Sequence, residues 1–356
     1  MATITLNALP PATFCVAKNY IDEKTFIIHL TEGCSDLIKK VCQIAWNILS
    51  IIIFPIGLIR LAVRTIAPMF VLPATTMFDI EWRKRKLEKL SEDQKDKKDE
   101  LNRQISEINR IHDGRNEFLI NNNTTEQITI KTIDNVEIDT VKIKNDKSDK
   151  WIIYFWGNSD CYEYHLEDLK TISLKTGANI YTGNYRGVMR SKEKIQSTQD
   201  MVYDGKAMVE KLLSEGVPEE NILIYGNSIG GGVATEVASN YPKVHHCNER
   251  SFGTLIDLVN AYVPVIGTVL GIIAWLAGWK FNSVKNFQKI EGKKMVIYSE
   301  IDEIIPFQAS LYKALKNKNT VFNSMEIYMD HSTPLSESKD AFENHLDFIK
   351  DALKLA

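Results

Sequence analysis

The hydrophobic pattern divides the chain into three regions. Residues 41–59 contain no charged side chain, and a second uncharged stretch covers residues 65–78. Residues 81–115 are rich in both signs of charge and place apolar side chains at mostly helical spacing. From residue 127 onward, short apolar runs alternate with helical patterns. This alternation predicts a mainly parallel sheet that helices cover on both faces.

The third region predicts eight strands. Residues 127–133 and 136–143 alternate as half-buried strands do, and Asp134 with Asn135 between them suits a hairpin. Short apolar runs predict the other strands at residues 151–156, 178–182, 222–225, 244–247, 295–299 and 325–329. Helices are predicted at residues 164–175, 198–215, 231–240, 306–316 and 339–355. Functional loops are expected at the carboxyl ends of the parallel strands.

Within the apolar segment 41–78, the uncharged run 41–59 approaches the length of ~20 residues that a helix needs to cross a bilayer. Polar side chains and Pro55 interrupt it, so three interpretations stay open: a crossing helix, insertion into the membrane surface, and a buried structural helix. The segment 81–115 predicts an amphipathic helix or a helical pair. Its basic cluster at residues 83–89 either contacts anionic headgroups or forms a solvated face.

These patterns predict a helical, partly apolar region over residues 1–125 and a sheet domain over residues 126–356. A net charge of -3 gives no support for a polyanion-binding protein, so no nucleic-acid partner is expected. Five cysteines without a C-x-x-C pair indicate neither a zinc site nor a disulfide framework. The first thirty residues do not resemble a Sec signal peptide, and we expect a cytoplasmic or membrane-associated protein.

The strongest chemical motif lies directly after the apolar run 222–225. Gly226, Ser228 and Gly230 form a G-x-S-x-G pattern between a predicted strand and a predicted helix. This is the setting of a nucleophile elbow, whose strained turn exposes the serine oxygen. Glycine-rich turns after strands also bind phosphate groups, so the motif needs partners to be interpreted as catalytic.

Two later strand ends offer those partners. Asp302 follows the seventh predicted strand, and His331 follows the eighth. A serine nucleophile needs a base to take its proton and a carboxylate to orient that base, and the order Ser228, Asp302, His331 suits such a triad. Glu300 and Glu303 are alternatives to Asp302, and Asp330 is a residue that could tune His331. We favour Asp302 because Ile-Ile-Pro restarts a helix behind it.

An oxyanion hole needs two backbone amides near the serine. The amide of Ile229, directly after Ser228, is one candidate, and the amide of Asn158 in the loop after the third strand is the other. That loop, Phe-Trp-Gly-Asn, resembles the F-H-G-N loop of α/β-hydrolases, and residues 184–187 resemble their D-Y-R-G loop. Trp156 and Asn184 depart from the histidine and aspartate of those relatives.

The resemblance to the α/β-hydrolase superfamily covers roughly residues 127–356. It implies a serine esterase or lipase with Ser228, Asp302 and His331 as triad and without a metal or organic cofactor. The apolar first half, the N-S-I-G-G-G elbow and Asn-Glu-Arg-Ser-Phe at residues 248–252 resemble SidB/Sdb-type lipase effectors of intracellular bacteria and related chlamydial proteins. This closer resemblance implies delivery into a host cell.

An apolar insert lies between the sixth and seventh strands, at about residues 255–285. Residues 259–279 carry no charge, yet one membrane crossing here would separate Ser228 from Asp302 and His331. A helical hairpin, a lid, a membrane-dipping segment and a cap packed on the protein all stay open. An apolar cap suits an acyl ester or lipid substrate and a membrane surface as partners.

We therefore expect a serine hydrolase that cleaves a carboxylic ester of a lipid or another acyl group. Acyl transfer and thioester cleavage on the same triad, peptide cleavage, and a membrane-binding scaffold without activity are the alternatives. The sequence does not specify the oligomeric state.

Overall fold

A computed structural model describes residue 44 and residues 74–91, 93–146 and 148–356 of the chain. Residues 74–356 belong to one compact unit. The predicted membrane-associating segment 41–78 lies outside the described residues, apart from residue 44 and residues 74–78. In the described ranges, no helix combines the length and the apolar character that crossing a membrane requires.

The charged region 81–115 falls into two helices and not into one. Helices α1 (Ala74–Met77), α2 (Ile80–Glu88) and α3 (Lys95–Asn121) follow one another. The Asp79 side chain caps α2 by accepting a hydrogen bond from the amide of Trp82 at 2.8 Å. Arg83 of α2 donates from Nε to Gln104 of α3 at 2.9 Å, which ties the two helices together.

Eight strands form one sheet in the order β1-β2-β4-β3-β5-β6-β7-β8. The pairs β1-β2 and β2-β4 are antiparallel and all the others are parallel. The strands are β1 (Thr125–Lys131), β2 (Glu137–Ile143), β3 (Trp151–Phe155), β4 (Asn179–Gly183), β5 (Ile222–Asn227), β6 (His245–Glu249), β7 (Lys294–Tyr298) and β8 (Asn323–Glu326). The predicted eight-stranded, mostly parallel sheet is confirmed.

The β1-β2 hairpin turns where the sequence predicts it. Asn135 takes a left-handed backbone with φ 66°, a conformation that asparagine tolerates better than most residues. Its amide donates to the carbonyl of Thr132 at 2.9 Å, and Thr132 donates from its own amide to Val136 at 3.0 Å. The turn fixes the register in which Ile130 faces Ile138.

Helices cover both faces of the sheet. Helices α4 (Leu166–Thr176), α5 (Thr198–Ser214), α6 (Ile229–Ala238), α7 (Leu255–Tyr262), α8 (Gly267–Leu276), α9 (Ser283–Phe287), α10 (Leu311–Leu315) and α11 (Lys339–Leu353) follow α3 in the described chain. Helices α4 and α11 share an apolar cluster with alternate residues of the strands, including Ile152 and Leu223. Ile153 and Ile224 are also buried but lie outside that cluster, as the period of two in a strand requires.

Strand β8 ends earlier than predicted. The apolar run predicts residues 325–329, whereas the strand covers Asn323–Glu326. This strand lies at the edge of the sheet and pairs only with β7, whose last residue, Tyr298, faces Glu326, so the ladder ends there although buried and exposed positions go on alternating to residue 328. The amide of Ile327 makes a last hydrogen bond to Tyr298, and the chain then leaves the sheet towards His331.

The proposed division near residue 125 stays a prediction. Helix α3 packs against the sheet domain through Phe118, which belongs to the same apolar cluster as α4 and α11. Arg115 of α3 is buried and donates from Nε to the Tyr162 hydroxyl at 2.6 Å. That hydroxyl donates to Asp139 of β2 at 2.7 Å. Because burial raises the pKa of Tyr162 well above its ordinary value, the hydroxyl keeps its hydrogen and joins the two charges.

Replacing Tyr162 by phenylalanine is expected to lower the free energy of unfolding by about 1–3 kcal/mol, because it leaves a buried guanidinium and a buried carboxylate without their shared partner. Urea denaturation followed by circular dichroism measures the change. Tyr328→Phe is the control, since Tyr328 is 85% exposed and water replaces its interactions. Equal stabilities of the Tyr162→Phe variant and the parent would contradict the role given to this hydroxyl.

Candidate active site

Ser228 lies in a strained turn between β5 and α6. Its backbone has φ 54° and ψ -125°, a conformation that side chains rarely adopt. A Cβ atom on Gly226 would lie 2.2 Å from the carbonyl oxygen of Gly230, and one on Gly230 would lie 2.3 Å from the carbonyl oxygen of Phe155. Both positions therefore require glycine, and the predicted elbow geometry is present.

The structure brings the three predicted triad residues together. His331 Nε2 lies 2.9 Å from Ser228 Oγ. His331 Nδ1 lies 2.8 Å from Asp302 Oδ2 and 3.0 Å from Oδ1. An ionised carboxylate only accepts hydrogen bonds, so the hydrogen of a neutral imidazole resides on Nδ1. Nε2 is then free to accept from the serine hydroxyl, which is the arrangement that a general base needs.

Neighbouring backbone groups hold the Asp302 carboxylate in place. Its Oδ1 accepts from the amides of Ile304 at 2.9 Å and Ile305 at 2.7 Å, and Asp302 is buried. Among the three predicted acids, Asp302 is the one that contacts the imidazole. Glu303 instead accepts from the backbone amide of His331 at 3.0 Å, while Glu300 is exposed. Two acids thus position His331, one through its ring and one through its main chain.

Asp330 shapes the turn that carries His331. The hydroxyl and amide of Thr333 both donate to Asp330 Oδ1 at 2.7 Å, and the amide of Ser332 donates at 3.1 Å. These hydrogen bonds, the Thr333 hydroxyl above all, hold the pKa of Asp330 below its usual range. Asp330 therefore acts on the loop as an ionised cap.

The two candidate oxyanion donors belong to segments next to Ser228. Ile229 is the first residue of α6, where amide hydrogens have no carbonyl partner within the helix. The loop of Asn158 passes beside the serine, since a Cβ atom on Gly157 would lie 3.4 Å from Ser228 Cβ and 3.9 Å from its Oγ. The direction of the Asn158 amide stays a prediction.

New contacts accompany both departures from the hydrolase loops. Trp156 donates from its indole to Thr182 at 2.8 Å and stacks on His165 with ring centroids 4.0 Å apart. Asn184 accepts from the amide of Tyr162 at 3.1 Å, and its Nδ2 donates to Glu163 at 2.9 Å.

The amide of Asn184 is suited to this position in a way that a carboxylate is not. Burial raises the pKa of Glu163 to about 7, and the Asn184 hydrogen bond acts in the opposite direction by favouring the charged form. An aspartate at 184 would instead place a second buried carboxylate beside Glu163. The asparagine therefore supports the loop without adding charge.

In the part of the chain that the structure describes, no group of three or more histidine, cysteine, aspartate or glutamate side chains is arranged to hold a metal ion.

Residues 28–339 match the family described as Chlamydia CHLPS protein, DUF818. The match spans most of the 356 residues. The chain belongs to the DUF818 family. This agrees with the chlamydial part of the resemblance that the sequence suggests, whereas the SidB/Sdb-type part and delivery into a host cell stay predictions.

The chain is also similar to other proteins and to solved structures. The chain is 22% identical to the alpha/beta hydrolase domain-containing protein WAV2 of Arabidopsis thaliana, over 56% of this chain and 69% of that protein. It is also 22% identical to protein bem46 of Schizosaccharomyces pombe, over 51% of this chain and 62% of that protein. The esterase Pf2001 of Pyrococcus furiosus superposes with a TM-score of 0.52 at 19% identity, covering 64% of this chain and 91% of the esterase. The sheet domain of this DUF818 protein has the α/β-hydrolase fold.

Arg250 is a positioning residue that motif analysis did not identify as part of the site. In this DUF818 chain its Nη1 donates to the carbonyls of Asp330 at 2.6 Å and Thr333 at 2.8 Å, which flank the His331 turn. Its Nε donates to Glu249 at 3.0 Å, and both side chains are buried. Glu249 in turn accepts from the Ser228 amide through its main-chain carbonyl, at 3.0 Å. The Arg250 side chain therefore links the strand beside the nucleophile to the histidine loop.

The signal for this role was present in the sequence as the Asn-Glu-Arg-Ser-Phe stretch after β6. Sequence alone gave it no function, because an adjacent Glu-Arg pair is ordinary on a protein surface. Its role depends on burial and on a partner loop some 80 residues away in the chain.

Removing the buried pair with Glu249→Gln and Arg250→Met is expected to slow the reaction of Ser228 with a fluorophosphonate by about tenfold or more, because the His331 loop loses two hydrogen bonds that set its position. The double change avoids leaving a lone buried charge. The rate constant of labelling, together with the melting temperature, gives the measurement.

The matched control is the exposed ion pair of α3, removed with Glu107→Gln and Arg110→Met. This variant is expected to keep the parent labelling rate. The positioning role of Arg250 would be contradicted if the labelling rate fell equally in both variants, or if it fell in neither of them.

Proposed function

We propose that the protein is a serine hydrolase that cleaves a carboxylic ester, with a lipid or another acyl ester as substrate. The observation that supports this is the continuous chain of hydrogen bonds from Ser228 through His331 to Asp302. These hydrogen bonds start at a strained elbow at the carboxyl end of a parallel strand, which is where α/β folds bind ligands.

In the proposed reaction, Ser228 Oγ attacks the ester carbonyl as His331 Nε2 takes the hydroxyl proton. The new O–C bond makes a tetrahedral intermediate, whose negative oxygen is held by the amides of Ile229 and Asn158. The C–O bond to the alcohol then breaks, and the alcohol leaves with the proton from His331. Water repeats the sequence on the acyl-enzyme and releases the acid. Asp302 stabilises the imidazolium that forms in each half.

The lipid part of the proposal is supported by the apolar surface next to the loop that carries Asp302. Helices α7 and α8, with the turn between them, carry large exposed aliphatic side chains, and the Tyr262 hydroxyl at the end of α7 donates to the carbonyl of Ile304 at 2.6 Å. Ile301 and Ile304 of the Asp302 loop are themselves exposed. A substrate with an acyl chain would find apolar surface directly beside the triad.

Ser228→Ala is expected to abolish labelling by a fluorophosphonate probe and to reduce ester hydrolysis by several orders of magnitude, because the nucleophile is gone.

Asp302→Asn is expected to reduce kcat by about 10³–10⁴ while the fold is retained, since the amide favours the wrong imidazole tautomer. Gel fluorescence and steady-state kinetics give the two measurements.

Glu300→Gln controls for loss of charge in the same loop, since Glu300 is exposed, and it is expected to keep parent activity. Equal labelling of the parent and Ser228→Ala would rule the proposal out. If the Ser228→Ala variant kept the biological effect of the protein, the alternative of a membrane-binding scaffold that needs no catalysis would be favoured instead.

Specificity is expected to favour long acyl chains. Each additional methylene that the apolar surface buries contributes about 0.8 kcal/mol, so kcat/KM should rise several-fold per carbon until the surface is filled. A series of p-nitrophenyl esters from acetate to palmitate, assayed below micelle formation, measures this. Activity confined to the shortest esters would remove the lipid part of the proposal, and products formed with added alcohols or acyl thioesters would separate hydrolysis from acyl transfer.

A further inference from the structure

Helices α7 and α8 form a hairpin whose two halves meet through glycine. A Cβ atom on Gly267 would lie 2.8 Å from Asn260 Cα, and one on Gly271 would lie 3.1 Å from Ile256 Cγ1. Gly267 and Gly271 are one helical turn apart and are the buried residues of α8. Small residues at such spacing let helix backbones approach closely, as they do between helices in membranes.

This packing turns the large side chains of the hairpin outward. Val265 at the tip is 93% exposed and Ile266 is 52% exposed. The exposed large apolar side chains of the hairpin continue through Tyr262, Val263, Val269, Leu270, Ile272 and Leu276. In an amphipathic hairpin packed for water, side chains of this size would face inward. The inverse arrangement here leaves a contiguous apolar ridge on the outside.

The polar groups of the hairpin are bonded within the protein. Thr268 donates to the side chain of Asn260 at 3.0 Å, and the Tyr262 hydroxyl donates to the carbonyls of Glu303 and Ile304 at 3.1 Å and 2.6 Å. Residues 259–279 contain no charged side chain. The ridge therefore offers a partner carbon and almost no hydrogen bonds, whereas interfaces with proteins carry about one hydrogen bond per 100–200 Å².

The hairpin is bonded to the catalytic domain at two places. Tyr262, at the end of α7 beside the turn, holds that part of the hairpin to the Asp302 loop. Beyond α8, the Thr198 hydroxyl donates to the carbonyls of Gly278 at 3.1 Å and Lys280 at 2.7 Å, and Ala277 and Trp279 are buried there. The hairpin thus lies against the domain. Its helices of 8 and 10 residues are only about 12–15 Å long, well short of the ~30 Å hydrocarbon core of a bilayer.

We propose that the α7–α8 hairpin inserts its ridge into one leaflet of a phospholipid bilayer and so sets the candidate active site at the membrane surface. The ridge matches the acyl-chain boundary, where apolar side chains gain from burial and where residues 259–279 bring no charge that has to be desolvated. Asp257, the charged residue of α7, lies in the first turn of that helix. This inference rests on the proposed function for what is cleaved there, but the docking itself requires no chemistry.

Hydrogen–deuterium exchange tests the docking on the full chain with Ser228→Ala, with and without vesicles of phosphatidylcholine. Peptides that cover residues 259–276 are expected to exchange about tenfold more slowly, or more, when vesicles are present. Adding Val265→Asp and Leu270→Asp is expected to remove this local protection. Because the readout is local, binding through another part of the chain does not imitate it.

The matched control adds Val321→Asp and Leu174→Asp, since Val321 is 89% exposed and Leu174 is also exposed, both outside the hairpin. This variant is expected to keep the protection. Vesicles that leave residues 259–276 unprotected, or protection that survives Val265→Asp with Leu270→Asp, would overturn the proposal. So would protection that rises with protein concentration in the absence of lipid while light scattering reports a dimer. If the fluorophosphonate did not label the parent, the proposed function would be contradicted, but the protection of residues 259–276 by vesicles would still support the docking.

Discussion

The close approach of three backbones around Ser228 is the constraint on which the site depends. Strand β5, the start of α6 and the loop after β3 come so near one another that Gly226 and Gly230 admit no side chain. This approach holds the serine in its turn, from which its Oγ reaches His331 Nε2 at 2.9 Å. The parallel order of β5, β6, β7 and β8 then delivers the loops of Arg250, Asp302 and His331 to one edge of the sheet.

The sequence was sufficient for the sheet and for the three residues that meet. Buried parallel strands are short and strongly apolar, so their positions stand out, and Asp302 could be separated from two nearby glutamates by the Ile-Ile-Pro that follows it. The structure gives the physical reason for that choice, because the amides of Ile304 and Ile305 bind the carboxylate. Strand β8 was placed two to three residues late, since the apolar pattern runs on past Glu326 whereas its only partner, β7, ends at Tyr298.

What sequence reasoning missed depends on pairs distant in the chain. Arg250 acquires its role only when the turn of residues 330–333 folds against it. Asn184 looked like a defect in a hydrolase loop until its amide was found between Tyr162 and Glu163. The hairpin shows the same limit, for a run of uncharged residues does not reveal whether its large side chains face inward or outward. Gly267 and Gly271 set that distinction, because they pack closely against Asn260 and Ile256 of the facing helix.

The backbone conformation of Ser228 has a consequence for how this sequence is maintained. Strain of this kind costs on the order of 1–3 kcal/mol, and a glycine at the same position would relieve it. Arg250 also has a positive φ, of 43°, so two neighbouring residues of the site work against the stability of the fold. Selection for stability alone would replace the serine and with it the hydroxyl. A serine at φ 54° and ψ -125° therefore marks this turn as a candidate functional site on backbone geometry alone, without relying on any distance in the triad.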